Sequence, residues 1–166
     1  MKKRDFLKTS LAAASTAFIP KSVVAMSKTG DKLRTAHIGV GGMGGADLGS
    51  IASHPDVEVV GLCDVDSNAI AKAGESYPNA KTYKDYRVML KEMVNVIDAV
   101  VVSTPDHTHA PASILSMEMN KPVYCQKPLA HHVSEVRAMR KIAEEKNLVT
   151  QMGIQVHSFY DYKLAT

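Results

Sequence analysis

Gly39, Gly41 and Gly44 fall in the spacing G-x-G-x-x-G within the stretch "TAHIGVGGMGGADLG". Glycine has no Cβ, so a chain built this way can turn tightly after a strand and let an anionic pyrophosphate touch its main chain. Gly39 is assigned the tight turn, Gly41 the close approach of the pyrophosphate, and Gly44 the close packing of helix on strand. Gly42 and Met43 lie inside the same turn and join the candidate cofactor-binding residues. About 20 residues further on, Asp64 ends a second apolar run, where its carboxylate can accept hydrogen bonds from an adenosine ribose diol. A carboxylate there repels the 2′-phosphate of NADP, and the next residues, Val65 and Asp66, supply no neutralising cation. The pattern therefore selects NAD over NADP.

A glycine triplet carries this meaning only between a strand and a helix of a βαβ unit. The elements read from the sequence supply that setting: strand "TAHIGV", helix "MGGADLGSIASH", strand "VEVVGLCD", helix "SNAIAKAGESY", strand "AKTY" and helix "DYRVMLKEM". There follow strand "VIDAVVVST", helix "APASILSMEMN", strand "PVYCQ", helix "SEVRAMRKIAEEKN" and strand "LVTQMG". Val and Ile runs without alternation suit strands buried on both faces of a parallel sheet. Strand and helix in regular alternation predict right-handed crossovers and an α/β, doubly wound, Rossmann-like parallel sheet in the order 3-2-1-4-5-6. In that order Cys63 and Cys125 are three strand spacings apart, about 14 Å, too far for a disulfide. Both are expected as free, mostly buried thiols.

The 166 residues carry a formal charge of +3. The basic excess sits in residues 1–30, where Lys2, Lys3, Arg4, Lys8, Lys21 and Lys28 face a single acid, Asp5. With no basic stripe along the remainder, nucleic acid is excluded as a partner. A basic head, the apolar run Leu11 to Ile19 and a small-residue exit at Val23 and Ala25 form the layout of an export signal, too short to span a bilayer as a stable anchor. "KRDFLK" is similar to a twin-arginine motif with Lys3 in place of its first arginine, so export to the periplasm is expected, with cleavage after Ala25.

Thr104 to His109 and Gln126 to Pro128 fall just past the ends of the fourth and fifth strands, where a doubly wound sheet holds its ligand. Thr104, Pro105 and His109 form T-P-x-x-x-H, and Gln126, Lys127 and Pro128 stand where E-K-P is usual. With the glycine fingerprint ahead of them, these motifs resemble the glucose-fructose oxidoreductase and inositol dehydrogenase family (Gfo/Idh/MocA) over nearly the whole chain after the signal. The resemblance implies a nicotinamide cofactor coupled to oxidation or reduction of a sugar, polyol or related hydroxyl compound. It also implies that Lys127 sits near the nicotinamide and the reacting hydroxyl, which makes it the catalytic candidate. A partly buried ammonium beside a positively charged ring would have a lowered pKa and could help move the hydroxyl proton. Gln126 departs from the usual glutamate: it keeps hydrogen bonding and loses the charge, which leaves its effect on Lys127 open.

Some family relatives use the same redox step transiently to cleave glycosidic bonds, so an NAD-dependent glycosidase shares every motif. A non-catalytic dinucleotide-binding module or redox sensor is a further reading. His107 with His109, and His131 with His132, raise a metal site, but no acidic or cysteine ligand stands at a supporting spacing and none is assigned. His131, His132, His37 and His54 are read as structural or exposed, and Met117 and Met119 as core filling. The domain reading is 1–30 export signal and linker, 31–153 dinucleotide-binding domain and 154–166 the truncated start of a second, open-faced αβ domain that is largely missing. That second domain carries the substrate side in the family, so the chain as given is expected to bind cofactor without turnover. A carbohydrate-like small molecule is the expected partner, and the full-length form leaves room for homo-oligomerisation.

Overall fold

The computed structural model describes residues 32–158 and Leu164. The export-signal reading of residues 1–30 lies outside the described residues. Among the described residues no helix is long and apolar enough to cross a membrane.

The elements run β1 (Leu33–Ile38), α1 (Gly42–Ala52), β2 (Val57–Cys63), α2 (Ser67–Ser76), β3 (Lys81–Tyr83) and α3 (Tyr86–Met93). They continue with β4 (Ala99–Val102), α4 (Asp106–Glu118), β5 (Val123–Gln126), α5 (Val133–Lys146), β6 (Thr150–Gly153) and a 3₁₀ turn at Gln155–Ser158. The six strands form one sheet in the order β3-β2-β1-β4-β5-β6, every pairing parallel, as the alternation of elements predicts. Local chemistry starts the helices. The Asp66 carboxylate accepts from the Asn68 amide to cap α2, and Asp85 accepts from the Arg87 amide to cap α3.

Apolar residues of one group, among them Ala36, Ile38, Met89, Leu90, Val100, Val102 and Met117, pack into a single buried cluster. A second cluster joins Val40, Leu48, Val59, Leu62 and Ala73. Burying a side chain such as Met89 or Leu90 removes enough apolar surface from water to be worth about 1.5–3 kcal/mol. Met117 belongs to the first cluster and the partly buried Met119 packs against it, in keeping with the core-filling reading of both.

Register decides what meets at the sheet's carboxyl edge. Ile38 lies opposite both Cys63 and Val102, Val102 opposite Cys125, and Gln126 opposite Gly153. The residues that follow these rows, Gly39, Asp64, Ser103 and Lys127, therefore emerge along one edge. The same rows put two full strands between Cys63 and Cys125, and both are free and buried.

One element differs from its prediction. The helix expected from Ala110 begins at Asp106, with Pro105 as its N-cap residue and Pro111 inside it. The fixed φ of Pro105 (−59°) and the acidic Asp106 in the first turn make the earlier beginning favourable.

Candidate functional site

The turn after β1 is held from both neighbouring strands, β2 and β4. The Gly39 amide donates to the Cys63 carbonyl at 2.8 Å, and the Ser103 amide donates to the Ile38 carbonyl at 2.8 Å. Gly39 has φ +85°, and a Cβ there would stand 2.5 Å from the Ser103 carbonyl oxygen. Only glycine fits. A Cβ on Gly44 would strike the Gly39 carbonyl, so Gly44 is what lets α1 lie against the turn. Both glycines thus take the roles their spacing assigns.

Gly41, Gly42 and Met43 are exposed at the start of α1. Gly42 has φ +51°, and a Cβ there would meet nothing within 4 Å, so the space over the helix N-terminus is open. Amides of a first helical turn have no acceptor within their own helix, and the helix dipole adds partial positive charge. An anionic pyrophosphate fits this cradle.

Asp64 does more than its spacing predicts. Its Oδ2 accepts from the amides of Val40 at 2.9 Å and Gly41 at 3.3 Å, and its Oδ1 accepts from Asp66 at 3.0 Å. The carboxylate ties the end of β2 to the glycine turn. It is half-buried, so part of it stays open to solvent.

On the other half of the sheet, His109 is buried, and its ring joins two loops. Nδ1 lies 2.6 Å from the Pro128 carbonyl oxygen and Nε2 lies 2.6 Å from the Thr104 carbonyl oxygen. The sequence places His109 as a helix-start residue near the cofactor. The structure places it in the first turn of α4 beneath the loops that carry both motifs. Thr104 Oγ1 is buried without a hydrogen-bond partner among the described residues, while Pro105 is exposed.

Lys127 follows β5 directly and is joined to Pro128 by a cis peptide bond. The expected partial burial of Lys127 is not found: the residue is exposed, because it projects past the end of β5 and no described element covers it. Gln126 beside it is 4% exposed, and its Oε1 accepts from the Lys127 amide at 3.1 Å.

One site residue escaped the sequence reading. Asp47, on the buried stripe of α1 with Gly44 and Leu48, accepts from Gln126 Nε2 at 3.0 and 2.8 Å and from Ser103 Oγ at 2.6 Å. Its one local signal is an acid on the face of a helix that otherwise points inward.

Among the described residues no group of three or more His, Cys, Asp or Glu side chains is placed to hold a metal ion. His107, His131, His132 and His54 are exposed, and His37 is buried in β1. Burial alone pushes the His37 imidazole pKa down to about 4.

Comparison with known proteins agrees with this geometry. Residues 33–154 match the model of the GFO_IDH_MocA oxidoreductase family, NAD-binding Rossmann fold. A glycosyl hydrolase family 109 protein of Stenotrophomonas maltophilia is 34% identical over 139 residues, covering 76% of this chain and 29% of that protein. The crystal structure of myo-inositol 2-dehydrogenase from Lactobacillus plantarum superposes with a TM-score of 0.73 at 29% identity, covering 81% of this chain and 40% of that one. The WlbA dehydrogenase of Chromobacterium violaceum, solved with NADH and UDP-GlcNAcA, gives a TM-score of 0.73 at 26% identity, covering 82% and 39%. The chain thus spans between 29 and 40% of the lengths of these relatives. It belongs to the GFO_IDH_MocA oxidoreductase family and has that family's NAD-binding Rossmann fold.

Proposed function

We propose that this chain is the cofactor-binding part of an NAD-dependent oxidoreductase that acts on a hydroxyl group of a sugar, polyol or related compound. The observation that carries this reading is the placement of Lys127, exposed at the carboxyl end of β5, on the same sheet edge as the open glycine cradle. The oxidised nicotinamide, when bound, accepts a hydride from the substrate carbon. The Gly39 to Gly44 turn and Asp64 hold the dinucleotide, and Asp64 disfavours a 2′-phosphate. Lys127 Nζ donates a hydrogen bond that orients the reacting hydroxyl, and once the part of the relatives that this chain does not span encloses it, its neutral form receives the hydroxyl proton. Hydride transfer depends on holding the donor carbon close and aligned, and the exposed Lys127 supplies one wall for that. The opposite wall belongs, on this reading, to the part of the longer relatives that this chain does not span.

A panel of sugars and polyols with NAD, followed by NADH absorbance, tests the reading on a protein that joins this domain to a substrate domain. Turnover is expected there, falling roughly a hundredfold or more in Lys127→Ala. The 166-residue chain itself is expected to bind NADH and leave NAD unreduced. Turnover unaffected by Lys127→Ala would overturn the assignment.

The likeness to a glycosyl hydrolase family 109 protein favours a second reading, in which the redox step is transient and a glycosidic bond is cleaved. Release of nitrophenol from aryl glycosides, dependent on added NAD yet without net NADH, separates it from simple oxidation. The basic head, apolar run and Ala25 exit support export to the periplasm, which the mass of the mature N-terminus tests.

A further inference from the structure

Asp47 is a carboxylate to which no described residue brings a cation within ion-pair distance. It is 7% exposed, and the groups that bond it are neutral: the Ser103 hydroxyl and the Gln126 amide. Among the described residues it enters no ion pair. Both of its oxygens act as acceptors. A charge taken out of water is costly unless an opposite charge or several dipoles compensate it. Here dipoles compensate it in part, and none of the described residues sets an opposite charge within ion-pair distance.

The place of Asp47 in the sheet indicates where that charge comes from. Asp64 assigns the adenosine half of the dinucleotide to the end of β2, so the nicotinamide half lies across the switch point, over the ends of β4 and β5. Ser103 follows β4 and Gln126 ends β5, and both bond Asp47. The oxidised nicotinamide ring carries a positive charge, and the reduced ring is neutral.

We propose that Asp47 is the fixed counter-charge of the nicotinamide half of the site, favouring the oxidised cofactor over the reduced one. The inference rests on the cofactor lying in this orientation. It also accounts for Gln126. A glutamate at that position would set a second carboxylate within hydrogen-bond distance of Asp47, whereas the amide donates to it and leaves one negative charge under the ring. Asp47 acts through space and through Gln126, which in turn accepts from the Lys127 amide.

The test is the ratio of the dissociation constants for NAD and NADH, measured by calorimetry on the 166-residue chain at one mildly alkaline pH. Asp47→Asn keeps the size and the hydrogen-bond acceptor and removes the charge. It should weaken NAD relative to NADH by roughly threefold or more, since the lost attraction acts on one redox form alone. Asp47→Asn combined with Gln126→Glu returns a carboxylate to the same place and should restore the parent ratio. A purely structural role for Asp47 would change both affinities together, and an unchanged ratio in Asp47→Asn overturns the proposal. Should that variant not fold, Asp47→Leu with Gln126→Met removes the charge and its side-chain amide donor as a pair, leaving only the Ser103 hydroxyl and the Lys127 amide at the site's rim to turn to water, and is read in the same way. Failure of the unmutated chain to bind either form would refute the cofactor reading, and the inference with it.

Discussion

The Val40 amide donates a hydrogen bond to Asp64 Oδ2 at 2.9 Å, joining the glycine turn to the end of the neighbouring strand. One carboxylate therefore shapes the cradle and stands where the spacing expects the ribose contact. Asp64→Ala should weaken NAD binding by roughly tenfold and also narrow the preference over NADP, because it removes the clamp as well as the repulsion of a 2′-phosphate. Equilibrium dialysis with both cofactors checks this. Equal affinities for NAD and NADP in the unmutated chain would sink the preference.

Glycine substitutions in one short stretch should have opposite signs. Gly39→Ala meets both a positive φ and the Ser103 carbonyl, and should cost on the order of 3 kcal/mol. Gly49→Ala lies in α1, where a Cβ would meet nothing within 4 Å, and should stabilise by about 0.5–1 kcal/mol. Urea denaturation of the two variants gives both values.

His37 makes stability depend on pH. Its pKa is held at about 4 by burial, against 6.5 when exposed. Between those values the unfolded chain binds a proton that the folded chain does not, so stability falls as pH falls through this window. The loss reaches about 3 kcal/mol near the lower end. His37→Leu should flatten the curve there relative to the parent, since the carboxylates titrate alike in both. Thr35 Oγ1, which pairs with His37 Nε2, keeps the Glu58 carbonyl as an acceptor. Parallel curves for the two proteins would contradict the assignment.

The two thiols should be inert in the native protein. Burial, then the charges of Asp64 and Asp85, pushes the Cys63 pKa up to about 12, and burial raises that of Cys125. Thiolate is the reactive form, so alkylation at neutral pH should run at least roughly a hundredfold slower than after unfolding. Mass spectrometry of iodoacetamide-treated protein reads this directly, and rapid labelling of either cysteine in the native state would refute it.

What could be read from the chain alone was whatever a residue type dictates about its own backbone. The glycines at 39 and 44 are required locally by a turn and a close approach, and Val and Ile runs become buried parallel strands whatever lies far away. Strand order followed from the alternation of elements, and with it the separation of Cys63 from Cys125. The T-P-x-x-x-H and Lys-Pro motifs pointed to the edge where their loops do meet. The residues that support those loops were not legible. Asp47 reaches Gln126 across 79 positions of sequence, and His109 reaches the Pro128 carbonyl across 19, distances closed only once β1, β4 and β5 lie side by side. The exposure of Lys127 likewise depends on what packs beyond the end of β5, which its own residue type does not record. Secondary structure and turn chemistry are local preferences and leave a local record. A buried carboxylate with its donors is a property of strand register, so tertiary structure alone brought Asp47 to Ser103 and Gln126 at the ends of β4 and β5.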